Sequence, residues 1–417
     1  MQLEQALERS GARRPRLVTP TFLLITLSTF AYFIAIGCLI PTLPVFVEGS
    51  LGGSSVSVGL AVGAFSLSAV LLRPFIGHVG DTRGRRILII GGATLVALSI
   101  AGYALADALL PLILLRLVTG LGEAAFYVGA ASAINDLAPD ERRGEALSFF
   151  SLALYGGLAL GPVLGEWVLD GTHFHATWYV AAGASFVAAL LGLRVRDTRP
   201  AESSSEPPAE RRLVHPRGLV PGTILATSVW GLSGFNTFVP LYALELGLRG
   251  SRLVFVVFSA TVLSIRSIGA RIPDVLGPRK TASAALCSSA FGLALIGLWA
   301  ATPGLLIGAA FFGLGQALAF PALMTLAVGG APANERGAVV GTFTAFFDLS
   351  FGLGALSLGA VAAMFGYRGA FIGGALVAAF GLGLLRTYAR RNRRAVARAE
   401  AEAAGSIHSS DAVVESA

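Results

Sequence analysis

The sequence predicts an all-α membrane protein of twelve transmembrane helices, arranged as two pseudo-symmetric six-helix bundles. Three observations predict it. Hydrophobic residues make up 54% of the chain and charged ones only 13%, where soluble domains carry about 25% charge. Uncharged runs long enough to cross a bilayer, about 20 residues, recur from end to end, and mean hydropathy is +0.73. The chain also repeats itself. Asp81, Gly84 and Arg86 return as Asp274, Gly277 and Arg279; Gly120 and Gly122 return as Gly313 and Gly315; Pro139 and Arg143 return as Pro332 and Arg336. Every pair is 193 residues apart (274 − 81). One offset over three separate segments means two related halves.

Taken in order, residues 1–17 are an N-terminal tail with charges of both signs and no short apolar stretch before a cleavage site. The first apolar run is therefore expected to stay as a helix. The first bundle occupies 18–195, with spans at 18–46, 54–76, 86–106, 109–136, 144–169 and 174–195. Residues 196–217 are rich in Ser, Pro, Glu and Arg, too polar to pack, and form a linker. The second bundle, 218–389, has spans at 218–244, 253–271, 280–301, 303–329, 338–364 and 367–389. Residues 390–417 form a C-terminal tail, basic at first and able to lie on anionic lipid, then small-residue and expected to be disordered.

The net charge of +7 follows topology and is no nucleic-acid footprint. With the N-terminus inside, all of the 31 Lys and Arg residues lie on the cytoplasmic side except Arg116, Arg249, Arg252 and Arg368. That bias places both termini, the linker and the loop at Arg73–Arg86 in the cytoplasm. Cys38 and Cys287 both sit in apolar runs and read as small core residues. His173 and His175 flank Phe174 with no third ligand nearby, so neither a metal nor another cofactor is expected.

Intramembrane charge carries more information, because each such group is costly in lipid. Among the acids only Glu123 and Asp348 fall near mid-helix. Arg116 precedes Glu123 by two helical turns, on nearly the same face and about 10 Å away along the axis, too far for a direct pair. Thr344, Asp348 and Gly352 form a polar stripe at i+4 spacing on the eleventh span. Burial favours the neutral form of a carboxyl, so both acids are candidates for proton exchange. Further cavity candidates are Tyr32, Tyr127, Tyr155, Trp230, Asn236 and Gln316. Gln316 is the repeat partner of Glu123, and Tyr155 of Asp348. Asp136 and Glu166 lie nearer the membrane faces and read as solvated helix ends.

Between the second and third spans lies a basic, glycine-hinged turn: Gly77, Asp81, Gly84, Arg85 and Arg86 are its key residues. A carboxylate there can cap the following helix and pair with an arginine, locking the turn. The second copy keeps Asp274 and Arg279 but has Leu276 and Pro278 for Arg83 and Arg85, so it is expected to hold less firmly. Fifty-two glycines also need a reason. In lipid, glycine lets helix backbones approach closely. Gly157, Gly161 and Gly165 line one face of the fifth span, with Pro162 beside the middle one.

Over about residues 18–390 these motifs resemble the major facilitator superfamily of secondary transporters, in its twelve-helix drug:proton antiporter-like branch. Gly77, Asp81, Gly84, Arg85 and Arg86 match the superfamily's loop motif, with Val79 and Thr82 as departures. Arg116, Gly120 and Gly122 match its fourth-helix motif. Gly157, Gly161, Pro162 and Gly165 match the antiporter-associated fifth-helix motif, and Gly37, Pro41 and Pro44 the Pro-rich end of helix 1. The resemblance implies a functional monomer in an inner membrane that exports a small drug-like or metabolite substrate against protons, rocking 18–195 against 218–389. It also implies that the loop acts as a gate latch. Rival readings are an uptake symporter or uniporter for sugars or small organic acids, a membrane enzyme, or a sensor. No phosphate loop, zinc pattern or nucleophile elbow supports an enzyme.

Overall fold

The computed structural model of the chain describes residues 17–139, 142–169, 173–198, 215–268, 275–329, 331 and 335–415. Most of the N-terminal tail, linker residues 199–214, Asp274 and Pro332 lie outside them. The helices are α1 (Pro20–Val45), α2 (Ser55–Arg83), α3 (Arg85–Gly102), α4 (Leu109–Leu137), α5 (Arg143–Leu169) and α6 (Phe174–Leu193), followed by α7 (Pro216–Glu245), α8 (Arg252–Ile268), α9 (Pro278–Leu298), α10 (Thr302–Val328) and α11 (Arg336–Glu415). Ten stretches among the described residues are long and apolar enough to cross a membrane, against the twelve expected. The difference lies in two places. α8 is described over only 17 residues, and Ala338–Tyr388, 51 residues, is a single stretch. Gly366, at φ +70°, breaks α11 within that stretch into two arms.

Local chemistry sets the helix ends. Thr19 Oγ1 accepts a hydrogen bond from Phe22 N at 3.2 Å, capping α1 just before Pro20. His215 caps α7 in the same way, accepting from Arg217 N through Nδ1. Pro41 and Pro44 remove two donors from the end of α1, and the chain continues as a π-helical turn over Phe46–Ser50. The C-terminal tail was expected to end disordered, yet its backbone is helical to Glu415. The Ala-rich, Arg- and Glu-bearing part up to Ala404 has high helix propensity.

The chain divides into two compact units. The first holds α1, α2 from Ala64 onward, and α3–α6; the second holds α7–α11 together with Ser54–Gly63 at the start of α2. In the first, α1 packs on α5 and α6, and α3 on α4 and α6. In the second, α7 packs on α11 and α10, α9 on α10 and α11, and α8 on α10.

Packing repeats with the sequence. A Cβ on Gly122 would lie 2.9 Å from Gly92 O, and one on Gly315 would lie 2.6 Å from Ala285 O. Gly120 approaches Phe65 O and Ser68 of α2; Gly313 approaches Phe258 O and Thr261 of α8. Each of these pairs again differs by 193 (315 − 122, 285 − 92, 258 − 65). The two units are therefore built on the same helix crossings in the same register. Glycine is needed at these points because backbone meets backbone.

Large apolar side chains such as Leu71, Phe75, Leu98, Trp167 and Leu376 are exposed, as a lipid-facing surface requires. Cys287 is among the exposed residues, which corrects its reading as core; only Cys38 is buried. An apolar run cannot tell the two sides apart, because lipid is as apolar as the core.

Candidate functional site

The first unit gathers its ionisable groups on α2 and α4. Glu123 is 8% exposed, and its Oε1 lies 3.6 Å from a terminal guanidinium nitrogen of Arg73 on α2. At that distance the contact is an ion pair. The Arg73 guanidinium also stands 5.0 Å from the centre of the Tyr127 ring, one helical turn beyond Glu123. Its Nε is shut off from solvent. Tyr32 of α1 is wholly buried, stacked on Phe126 with ring centres 3.9 Å apart.

α2 does not end at residue 76 but runs on to Arg83. Arg73 thus lies about 15 Å of helix rise before the end. Nothing between Gly77 and Arg83 breaks a helix until Gly84, whose φ of +99° an L side chain rarely adopts. The missed signal was available: Arg73 and Arg266 are also 193 residues apart.

Arg116 is 6% exposed and has neighbours of its own. It sits over the Phe65 ring at 4.7 Å and donates to Tyr103 Oη at 3.5 Å. Tyr103 in turn hydrogen-bonds Thr119, which is 3.0 Å from Ser99 Oγ. Arg116 and Glu123 share a face of α4, two turns apart.

In the second unit the sequence candidates are dispersed. Gln316 donates to Ser228 Oγ at 3.1 Å and to Ser228 O at 3.3 Å. Trp230 Nε1 donates to Ser357 Oγ at 2.8 Å. Both bonds join α7 to a neighbouring helix. Asp348 and Asn236 are half-buried on α11 and α7, and in the first unit Tyr155 is half-buried on α5.

At the loop, Arg85 is held from two sides: 2.7 Å to Asp81 Oδ1 and 3.3 Å to Asp136 Oδ2. The expected pairing with Asp81 is present, but Asp81 is not the cap. Asp197, just beyond α6, accepts from Arg85 N at 3.1 Å and so holds the start of α3. Asp136, expected to be a solvated helix end, has a side chain only 14% exposed and also accepts from Thr198 Oγ1. Arg86 donates to Leu193 O at 2.6 Å, at the end of α6. Sequence reasoning missed Asp197 because it counted the residue as linker. In the second copy, Gly277 also has positive φ, +80°, and precedes α9 as Gly84 precedes α3. Arg279 follows in the first turn of α9; Asp274 is outside the described residues.

The fifth-span glycines do line one face. A Cβ on Gly157 would meet Phe30 O at 2.7 Å, one on Gly161 would meet Gly37 Cα at 2.5 Å, and one on Gly165 would meet Cys38 O at 2.6 Å. Pro162 stands inside the same helix. Among the described residues no group of three or more His, Cys, Asp or Glu is placed to hold a metal ion.

The chain matches the profile of the Major Facilitator Superfamily over residues 25–286 and again over 251–413. It belongs to that superfamily, and is a multi-pass membrane protein of the transporter class. It is 29% identical over 376 residues to an uncharacterised MFS-type transporter of Burkholderia pseudomallei (strain 1106a), covering 88% of this chain and 91% of that one. To an uncharacterised MFS-type transporter of Salmonella typhimurium (strain LT2) it is 28% identical over 391 residues, covering 89% and 97%. Among solved structures it is similar in fold to a bacterial homologue of the human lysosomal transporter Spinster, with TM-score 0.75, 14% identity, and coverage of 91% of this chain and 99% of that one.

Proposed function

We propose that the chain is a proton-coupled secondary transporter of a small molecule in a bacterial cytoplasmic membrane, working by alternating access, with Glu123 as the principal protonation site. The observation that carries this reading is the pair of buried Glu123 with half-buried Arg73. A proton on Glu123 cancels its charge and frees the arginine, so protonation changes what the site can hold. Export by antiport follows where the substrate competes with the proton for Glu123. It is supported by the seam of Gly157, Gly161 and Gly165 against α1, the feature shared with antiporters. Symport follows where the substrate competes with Glu123 for Arg73, and that second reading is favoured by the arginine itself. Asp348 is a further candidate on α11, and the hold of Asp81, Asp136 and Asp197 on Arg85 supports a latch role for the loop.

Inverted membrane vesicles with a respiration-driven pH gradient, reported by a fluorescent weak base, test the reading. Lipophilic cations, antibiotics, sugars and carboxylates are added to wild type, Glu123→Gln and Asp348→Asn. A compound that changes the gradient in wild type and not in Glu123→Gln supports coupling at Glu123. Equal responses in wild type and both variants would make the two acids structural.

A further inference from the structure

We propose that Arg73 is an anion-binding residue of the transport site, and that the transported molecule carries a carboxylate-like group that replaces the Glu123 carboxylate on it. The inference rests on the reading of the chain as a proton-coupled transporter, and names the substrate class for it.

Three observations carry it. First, Arg73 stands within α2, about 15 Å of helix rise before its end, with its Nε closed to solvent. Its terminal nitrogen faces a carboxylate at 3.6 Å, so the site already holds the kind of group it would bind. Guanidinium presents a planar fork suited to carboxylates, and the Tyr127 ring at 5.0 Å fixes its plane from one side. Second, the Arg73 side chain is 20% exposed, so its head can be reached. Third, the second unit repeats the arginine without the acid. Arg266 stands on α8 where Arg73 stands on α2, and its Nε is likewise closed to solvent. The crossing of α8 on α10 repeats that of α2 on α4, residue for residue. At the place of Glu123 stands Gln316, an amide bonded to Ser228. The arginine therefore recurs independently of a carboxylate partner at that position.

Charge balance fixes the sign of coupling. With Glu123 ionised, the Glu123–Arg73 pair is neutral. When Glu123 takes one proton and a substrate carboxylate takes its place on Arg73, one positive and one negative charge enter together, and the site is again neutral. Anion without proton would leave an excess negative charge in a low-dielectric setting, and proton without anion an excess positive one. Proton and anion thus bind cooperatively, which selects symport of the two. The charged and titratable groups around Glu123 are Arg73 from α2, Tyr32 from α1, Arg116 along α4, and Tyr103 beside it. Arg116 contacts Tyr103 and Phe65, and the Arg73 guanidinium lies against Glu123.

The test uses the full chain, purified and reconstituted in proteoliposomes. Benzoate, succinate and lactate, with tetraphenylphosphonium as the cationic control, are scored by radiolabel uptake and by ligand-induced thermal stabilisation across about pH 5 to 8. Wild type is expected to respond to at least one carboxylate, more strongly at low pH. Arg73→Gln raises the half-saturating concentration about tenfold or more, as expected for loss of a charge-assisted contact, and Arg73→Lys recovers part of it. Glu123→Gln keeps carboxylate binding and loses its pH dependence. The double variant Arg73→Gln/Glu123→Gln removes both charges, so it keeps the unit folded if either single variant does not; it fails to respond to carboxylates. No carboxylate response in wild type, or one equal in wild type and the Arg73 variants, overturns the proposal. A cation response that needs Glu123 and not Arg73 overturns it too, while leaving proton-coupled transport standing. Carboxylate binding that needs Arg73 but moves no protons would instead remove the coupling reading and retain the anion site.

Discussion

Glu123 shares a face of α4 with Arg116, yet its ionic contact comes from Arg73 on α2, a choice made by helix packing. Removing one partner of such a pair leaves a buried charge, at a cost of about 3–5 kcal/mol. Arg73→Gln alone should therefore lower the unfolding temperature in detergent clearly, and adding Glu123→Gln should restore most of the loss. A double variant no more stable than the single one would mean that the pair contributes nothing. Gly84 presents a different kind of constraint. At φ +99° an alanine is strained by about 1–3 kcal/mol, and its Cβ would collide with the Asp197 carboxylate. Gly84→Ala should destabilise more than Gly77→Ala, where a Cβ meets nothing within 4 Å. Differential scanning in detergent reads both.

Among the elements, the α1–α5 seam is the one whose sequence pattern translated most directly into structure. Spacing of four put Gly157, Gly161 and Gly165 on one face, and that face is closed against the α1 backbone. Gly161→Ala should cost about 1–3 kcal/mol by overpacking and reduce the yield of folded protein; wild-type stability would show that the seam can open freely. The end of α2 was read less well. Asp81 pairs with Arg85 as its spacing allowed, while the hold on α3 comes from Asp197, 112 residues further on. Spacing within one loop cannot reveal a cap supplied by a distant segment. Asp197→Ala should cost about 0.5–2 kcal/mol, as for other lost caps, seen as a lower melting temperature.

At the scale of the whole molecule, the duplication is a statement about packing as well as sequence. Gly122 and Gly315 close the same crossing in their respective units. Gly122→Ala and Gly315→Ala should destabilise by similar amounts, about 1–3 kcal/mol each. Gly91→Ala, on an open face of α3, should be neutral or slightly stabilising through helix propensity. Unequal effects at the two repeat positions, with one near zero, would show that the crossings are not equivalent in energy.

What the sequence by itself determined was the class: long apolar runs must satisfy their backbone groups within each helix, so length and hydropathy are enough to read spans. The two-unit repeat was equally legible, because a constant offset survives even where residues change. So was the glycine face of α5, since periodicity alone defines it. Tertiary structure decided the partners. It brought Arg73 to Glu123, Asp197 to the start of α3 and Asp136 to Arg85, and it turned Cys287 outward. The reason is physical. In lipid the apolar stripe no longer marks the inner face of a helix, so which side chain meets which depends on how the helices are rotated against one another, and sequence spacing within one helix does not record that.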